Sequence, residues 1–541
     1  MKIVTAEEMR HIEATAEADG TPIPTLMQRA GTALADAILS DYSLAQGAIL
    51  VLVGPGNNGG DGLVAATRLR EAGVEVTAYA WRHKSDDPVY AAAVAAGVPI
   101  VRADDDADGA RLAELTRDAA IIVDALLGIG ASRPITGELA DILARVRENR
   151  QPEASVVAVD LPSGVNSDTG AADPATLPAD LTITFGFPKR GLYQYPGAGL
   201  AGRQVTAAIG LDNATAQEVR VELMQAGWVR ERLPARPADA HKGTFGKALI
   251  VAGSANYTGA AYLAGAGAIR VGVGLATLGV AGMLYPILAA RLVETTWLLL
   301  PHDMGALRAD AAKVVLEKIE GYTALLVGPG LGQEPGTEEL VHHLLVGRQA
   351  EGQRARRIGF ATEPTPEASA PETPKLPPTV IDADALNALA KAENWSATLT
   401  ASSAILTPHP GEMARLLGST TEEVQADRMA TAKAAAEKFG QVVVLKGANT
   451  VIAAPDGQIA VSPFANPALA TAGSGDVLAG AIVGFLAQGL SAFDAAACGV
   501  YVHGLAGERA RADMGDAGVI AGDLLPQLPM AIQGIRLEGE M

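Results

Sequence analysis

Short apolar runs alternate with helix-length stretches along almost the whole chain. Before residue 215 the runs are AILVLVG, VEVTAYAW, AAIIVDALLG, ASVVAVDLPSG and LTITFGF. From His241 onward they are KALIVAGS, ALLVGPG, PTVIDADAL, SAILTPH and VVVLKG. Runs that lack polar alternation, separated by Ala-rich helical segments, predict parallel strands covered on both faces. The expected fold class is therefore α/β, with two doubly wound three-layer domains. An amphipathic helix over Ala6 to Ala18 and an Ala-rich one over Leu26 to Leu39 open the first. Residues 1–215 form that domain, 216–240 a linker with Pro234 and Pro237 near its end, and 241–541 the second domain. The Pro/Glu-rich stretch 362–378 reads as a disordered or polyproline-like surface insertion. Val271 to Ala290 carries no charge over spanning length, but its glycines and Pro286 break it into a strand, a turn and a helix start.

Composition narrows the functions open to such a chain. With 541 residues and 49% hydrophobic side chains there is material for two large cores. A net charge of -19 and an aromatic content of 4% argue against nucleic-acid binding. The single cysteine, Cys498, excludes a disulfide framework or a thiolate zinc site. The N-terminus has acidic residues where a signal peptide needs an apolar run. A cytoplasmic protein with small-molecule ligands and no membrane partner is expected, and a homo-oligomer.

Chemistry concentrates at the ends of the predicted strands. GPGNNGGDG, Gly54 to Gly62, follows the first strand and opens a helix, where backbone amides can approach a phosphate. The second strand ends in Tyr79, Ala80, Trp81 and Arg82 without an acid, which disfavours ordinary dinucleotide dehydrogenase chemistry. Asp124 and Asp160 each follow a buried strand. A lone Asp there is commonly a helix cap. Two of them beside a polar glycine loop point instead to a crevice at the carboxyl ends of the strands. Oxygen donors from Asn58, Asp124 and Ser163 suit a hard cation such as an alkali ion. The loop Gly128 to Pro134 lies nearby, and Lys189 can face an anionic ligand.

GPGNNGGDG, VDALLGIG and VAVDLPSGVNSDTG together, with MRHIEATAEADG at the start, resemble the NAD(P)H-hydrate epimerase family over residues 1–215. The resemblance implies a Rossmann-like domain that interconverts the C6 epimers of hydrated NADH and NADPH, NADHX and NADPHX. By motif, Asn57, Asn58, Gly59, Gly60 and Asp61 would contact the hydrate. So would Gly128, Ile129, Gly130, Ala131, Ser132, Arg133 and Pro134. Asn58, Asp124 and Ser163 would hold a potassium ion. Asp160 would touch the substrate at the reacting carbon. From its strand-end position beside the cation loop it is further expected to act there as acid and base, with Lys189 supporting anionic parts of the ligand.

In the second half, Thr471, Ala472, Gly473, Ser474, Gly475 and Asp476 precede an apolar helix. Glycines let successive amides converge on an anion, and an Asp in such a hole can take a proton from an attacking hydroxyl. Lys446, Gly447, Ala448, Asn449 and Thr450 form a turn after a strand. His409 stands between prolines at another strand end, Gly328 to Gly332 is a further glycine turn, and Asp382 and Asp384 are paired acids. HKGTFGKALIVAGS, TPHPGE, KGANTVI and the Gly-Ser-Gly-Asp run are similar to the NAD(P)H-hydrate dehydratase family of the ribokinase-like superfamily, over residues 235–535. The resemblance implies nucleotide-dependent dehydration of the S-hydrate, with Asp476 as base. Ala260, Gly330 or Gly332, His409 and Asp476 would contact the hydrate. Lys446 to Thr450 and Thr471 to Gly475 would bind the nucleotide, and magnesium would accompany its phosphates. The donor is expected to be ADP, giving AMP and phosphate, by analogy with fused prokaryotic members, eukaryotic relatives using ATP. The fusion implies a bifunctional metabolite repair enzyme, an isomerase joined to a lyase. Two other readings compete: a vitamin or sugar kinase with a regulatory N-terminal domain, and a non-catalytic scaffold.

Overall fold

The computed structural model of the chain describes residues 1–42, 47–130, 133–347 and 375–537. It divides into two compact units, Met1–Glu222 and Leu223–Met541. The dividing point lies inside the expected linker 216–240.

The sheet of the first unit has the order Ile100–Arg102, Val76–Ala80, Ala48–Val53, Ala119–Ala125, Ser155–Val159, Leu181–Phe185, Arg203–Ala207. Every pairing is parallel. The order reverses between Ala48–Val53 and Ala119–Ala125, as in a doubly wound dinucleotide fold. Side chains along a strand alternate between faces. Ile49, Val51 and Val53 accordingly enter one core and Leu50 and Leu52 the other. Helices Ile23–Asp41 and Asn57–Glu71 supply Leu34, Ile38 and Leu63 to the first core. Helices Ala110–Asp118 and Glu138–Asn149 supply Leu112, Leu139 and Leu143 to the second. The opening helix is Ala6–Ala18, as predicted, fixed at its start by a capping box between Thr5 and Glu8. Ile100–Arg102 and Arg203–Ala207 were not legible. The first is three residues long, and the second is a polar, partly exposed strand.

In the second unit the parallel strands run in the order Thr296–Leu300, Leu275–Ala281, Lys247–Val251, Ala324–Val327, Thr379–Ile381, Ala404–Leu406, Val442–Leu445. Val451–Ala453 and Ile459–Val461 then follow as antiparallel strands. Here the order reverses between Lys247–Val251 and Ala324–Val327. Helix Ser474–Ala487 is buried at every position from Val477 onward. The uncharged stretch 271–290 contains strand Leu275–Ala281 and helix Tyr285–Ala289, as expected. No helix among the described residues is long and apolar enough to cross a membrane. Of the predicted insertion, residues 362–374 lie outside the described ones. At its end Leu376 is buried and bridges to Ala401.

Candidate functional sites

In the first unit the point of strand reversal opens a cleft of about 930 Å³. The loops after Val53 and Ala125 meet there. A Cβ at Gly54 would lie 1.7 Å from Leu126 O, so only glycine lets them cross. Asn58 Nδ2 donates to Leu127 O at 2.9 Å and ties the loops together. Asn57, Asn58, Asp61, Gly128, Ile129, Gly130, Arg133, Pro134, Asp160 and Lys189 all line the cleft. Gly59 and Gly60 do not line it. They pack against Gly54 and Met27. Ala131 and Ser132 lie outside the described residues.

Asp160 sits at φ 66, a backbone state that costs energy for a residue other than glycine. It is held there by donors. Thr184 Oγ1 at 3.0 Å, Phe185 N at 3.2 Å and Lys189 Nζ all donate to its Oδ1. Lys189 is 1% exposed, and its Nζ also donates to Phe185 O at 3.2 Å. The buried ammonium and carboxylate thus compensate each other. Asp61 faces the same cleft with its carboxyl pushed well up, first by burial and then by the charges of Asp160 and Glu13. Glu13 is also pushed up by burial, against the opposing pull of Lys189. Sequence reasoning missed Glu13. The available signal was its position four residues after Met9, on the buried face of helix Ala6–Ala18. Arg10, Arg82 and Arg133 add positive charge at the rim, and Trp81 an aromatic wall.

Behind the cleft, Asp124 is fully buried. It accepts from Ser163 N at 2.8 Å, Ser163 Oγ at 2.6 Å and Leu126 N at 3.3 Å. Burial raises its pKa, against those hydrogen bonds. No basic side chain among the described residues pairs with it. Asn58 Nδ2 binds Leu127 O, so with Asp124 and Ser163 the loop ends offer one carboxylate and neutral oxygens. That set fits a large monovalent cation. No cluster of three His, Cys, Asp or Glu that could hold a metal occurs among the described residues.

In the second unit, Lys446 Nζ donates to Asp382 Oδ1 at 2.9 Å and lies 3.7 Å from Glu412 Oε2. Burial alone would lower this ammonium. Asp382, Glu412 and Asp476 outweigh burial and raise it. Thr407 Oγ1 donates to Asp382 Oδ1 at 2.7 Å. Asp476, in the first turn of helix Ser474–Ala487, is pushed up to about 7 by burial and then by Asp382. A Cβ on Gly475 would lie 3.8 Å from Lys446 Nζ, so the two predicted nucleotide turns converge. Lys446 N donates to Pro408 O at 2.9 Å, which brings in the His409 turn. His409 caps helix Pro410–Leu417, and its Nδ1 accepts from Gly411 N at 3.0 Å. Ala260 and Gly330 are neighbours, because a Cβ on Gly330 would be 2.6 Å from that of Ala260. Gly332 N donates to Asp384 Oδ2 at 2.9 Å. Asn449, at φ 49, is buried with Nδ2 donating to Ser462 O at 3.0 Å. Arg428 was missed. Its buried guanidinium donates to Leu445 O at 2.9 Å and Lys446 O at 3.2 Å and so braces the lysine turn.

Two family models match the chain. One, described as YjeF-related protein N-terminus, covers residues 24–191. The other, described as NAD(P)H-hydrate dehydratase, covers 248–350 and 365–530. The bifunctional NAD(P)H-hydrate repair enzyme Nnr of Moorella thermoacetica is 37% identical over 554 residues, spanning 100% of this chain and 98% of that one. The chain belongs to the bifunctional NAD(P)H-hydrate repair enzyme family. The Nnr of Escherichia coli K12 is 33% identical over 530 residues, 97% of this chain and 92% of that one. Among solved structures, the ADP/ATP-dependent NAD(P)H-hydrate dehydratase of Bacillus subtilis, co-crystallised with ATP and magnesium, is 33% identical. It covers 57% of this chain and 97% of its own, at a TM-score of 0.47. The match over both halves displaces the kinase and scaffold readings. The enzyme joins an epimerase to a dehydratase.

Asp61 yields a stability prediction. Its folded pKa lies above the unfolded value, so its stabilising state is the protonated one, lost as pH rises through the folded pKa. Asp61→Asn should therefore raise the melting temperature of the first unit more at pH 8 than at pH 4.5. Thermal unfolding across that range checks this.

Proposed function

We propose that the first unit epimerises NADHX and NADPHX at Asp160. We propose further that the second dehydrates the S epimer with ADP as phosphoryl donor, giving AMP and phosphate. What supports the first half is the meeting in one cleft of Asp160, ion-paired with Lys189, and Asp61, whose carboxyl burial and neighbouring acids push well up. Two carboxyls in unlike surroundings, one paired with a lysine and one desolvated beside other acids, suit acid–base exchange.

Asp61 gives its proton to the C6 hydroxyl. The C6–O bond breaks, water leaves, and the N1 lone pair forms the C6–N1 double bond. Water then adds to the opposite face, passing its proton to Asp160 while the π pair returns to N1. Proton exchange between the two carboxyls through solvent resets the site. Arg82, Arg133 and Arg10 suit the pyrophosphate of the substrate, and Trp81 suits a ring. Asn58, Asp124 and Ser163 would hold a potassium ion, which when bound supplies fixed positive charge beneath the two loops.

In the second unit the ionised Asp476 takes the proton of the C6 hydroxyl, and its oxygen attacks the β-phosphorus of ADP. The bond to AMP breaks. The N1 lone pair then forms the C6–N1 double bond as the C6–O bond breaks, and the departing phosphate takes the C5 proton, whose bonding pair forms C5–C6 and returns the π pair to N1. Lys446 and the amides of Gly473 to Gly475 meet the charge on the transferring group. Magnesium bound with the nucleotide phosphates would neutralise part of that charge. We place the enzyme in the cytoplasm as a homo-oligomer. Edge strand Thr296–Leu300, with Leu299 53% exposed and nearby Val293 76% exposed, supports the latter.

The test supplies separated epimers with ADP or ATP and follows the recovery of dihydronicotinamide absorbance. Wild-type chain should clear both epimers. Asp160→Asn should leave the R epimer untouched, with epimerisation down ~100-fold or more, and S consumption intact. Undiminished epimerisation would refute the role of Asp160.

Asp476→Asn should abolish turnover of both epimers with nucleotide affinity retained. Dehydratase kcat/KM should fall with unit slope below about pH 7, because protonation removes the base. A flat profile from pH 8 to 5 would contradict that assignment.

Exchanging potassium for N-methylglucamine should slow epimerisation but not dehydration. Asp124→Asn should raise the potassium concentration for half-maximal rate by about tenfold.

A further inference from the structure

Helix Ala492–Met514 packs beside the glycine turn of the second unit. His503 on this helix is only 7% exposed, and its Nε2 lies 3.0 Å from Ser474 O. A carbonyl oxygen has no proton to give, so Nε2 carries the hydrogen and donates. Burial lowers the imidazole to about 4, which keeps it neutral across the working range. On the same helix Gly504 leaves room for close packing on Phe464. A Cβ there would lie 2.3 Å from the ring of Phe464, which also stacks edge-on against Tyr501 at 5.1 Å between centroids. Ser474 is tied a second time, its Oγ donating to Leu469 O at 2.8 Å.

Neither tie touches a ligand directly, but both act on a peptide that would. Ser474 C=O and Gly475 N–H belong to one planar trans peptide and point in opposite directions. Fixing the carbonyl from behind therefore fixes the direction of the amide. Gly475 lies beside Lys446, and its N–H is among those at a helix start that have no partner within the helix.

We propose that His503 is a positioning residue for the nucleotide site: its hydrogen bond to Ser474 O holds the Gly475 N–H aimed at the phosphate being bound beside Lys446. This rests on reading the Thr471–Gly475 turn as nucleotide-binding. A loose peptide would still bind the hydrate but would present its amide poorly to the nucleotide.

The test compares full-length wild type, His503→Phe, His503→Gln and Lys446→Met for dehydratase kinetics. The epimerase rate of each preparation serves as an internal control of intact protein. His503→Phe should raise the KM for ADP about tenfold while the KM for the hydrate moves less than about threefold. His503→Gln, whose amide can donate to the same carbonyl, should recover most of the affinity. An unchanged KM for ADP in the Phe variant would overturn the proposal. So would a folded Gln variant as impaired as the Phe variant, since packing rather than the hydrogen bond would then be responsible. If the Phe variant loses its cooperative melt, His503→Ala titrated with free imidazole decides. Recovery of the ADP KM sustains the proposal, and no response overturns it. Lys446→Met separates the two layers of inference. If it too keeps wild-type ADP affinity, the nucleotide reading of the turn fails. If it loses affinity while His503→Phe does not, only the role of His503 fails.

Discussion

A parallel sheet wound in both directions must part its connecting segments where the strand order reverses, because successive crossovers leave on opposite faces. This happens once in each unit, between Ala48–Val53 and Ala119–Ala125 and between Lys247–Val251 and Ala324–Val327. Chemistry gathers at the first unit's opening, and in the second unit at the carboxyl ends of Thr379–Ile381, Ala404–Leu406 and Val442–Leu445, for a second reason. Helices start there with unpaired amides, so these places favour negative charge without any dedicated side chain. Everything else in the two sites is arranged around that field. Glycines bring backbone close, and acids are placed where ligands must pass.

Acids in an amide-rich crevice still lose water, and each unit handles this in the same two ways. One aspartate is compensated by a lysine, Asp160 by Lys189 and Asp382 by Lys446. A second aspartate, Asp61 or Asp476, is left to shift towards its neutral form. The pair supplies a fixed charge and the shifted acid a movable proton. Removing the lysine would strand a buried carboxylate, so the compensated pair is the part of each site least tolerant of change. Thr184 and Thr407 play matching parts, each donating a hydroxyl to the compensated acid.

Much of this was legible in the sequence because it is written in local grammar. Unbroken Val and Ile runs marked the buried strands, and an Asp just after such a run marked the crevice. The polar loop GPGNNGGDG and the Gly-Ser-Gly-Asp turn stood out by composition. Glu13, Arg428 and His503 did not. Each lies on a helix where a polar residue is locally unremarkable, and each acquires meaning only from what the fold places opposite it. Glu13 meets the Lys189 and Asp160 charges, Arg428 two carbonyls of the lysine turn, and His503 the Ser474 carbonyl. The antiparallel pair Val451–Ala453 and Ile459–Val461 escaped because three-residue strands carry too little periodicity to separate from loop.

The two mechanisms proposed here place opposite demands on their shifted acids at a single pH. Epimerisation as proposed uses a proton held by Asp61, whereas dehydration as proposed uses Asp476 without its own. The surroundings differ in the required sense. Asp61 is pushed up by burial and by two further acids, Asp160 and Glu13, with Lys189 as the opposing charge. Asp476 is less enclosed, and Lys446 pulls against burial and Asp382 to leave it near neutrality. One chain can then run both steps together because its two carboxyls differ in desolvation and in the balance of charges around them. In the proposed sequence one site feeds the other its reactive epimer, and that order relies on the difference between the two carboxyls.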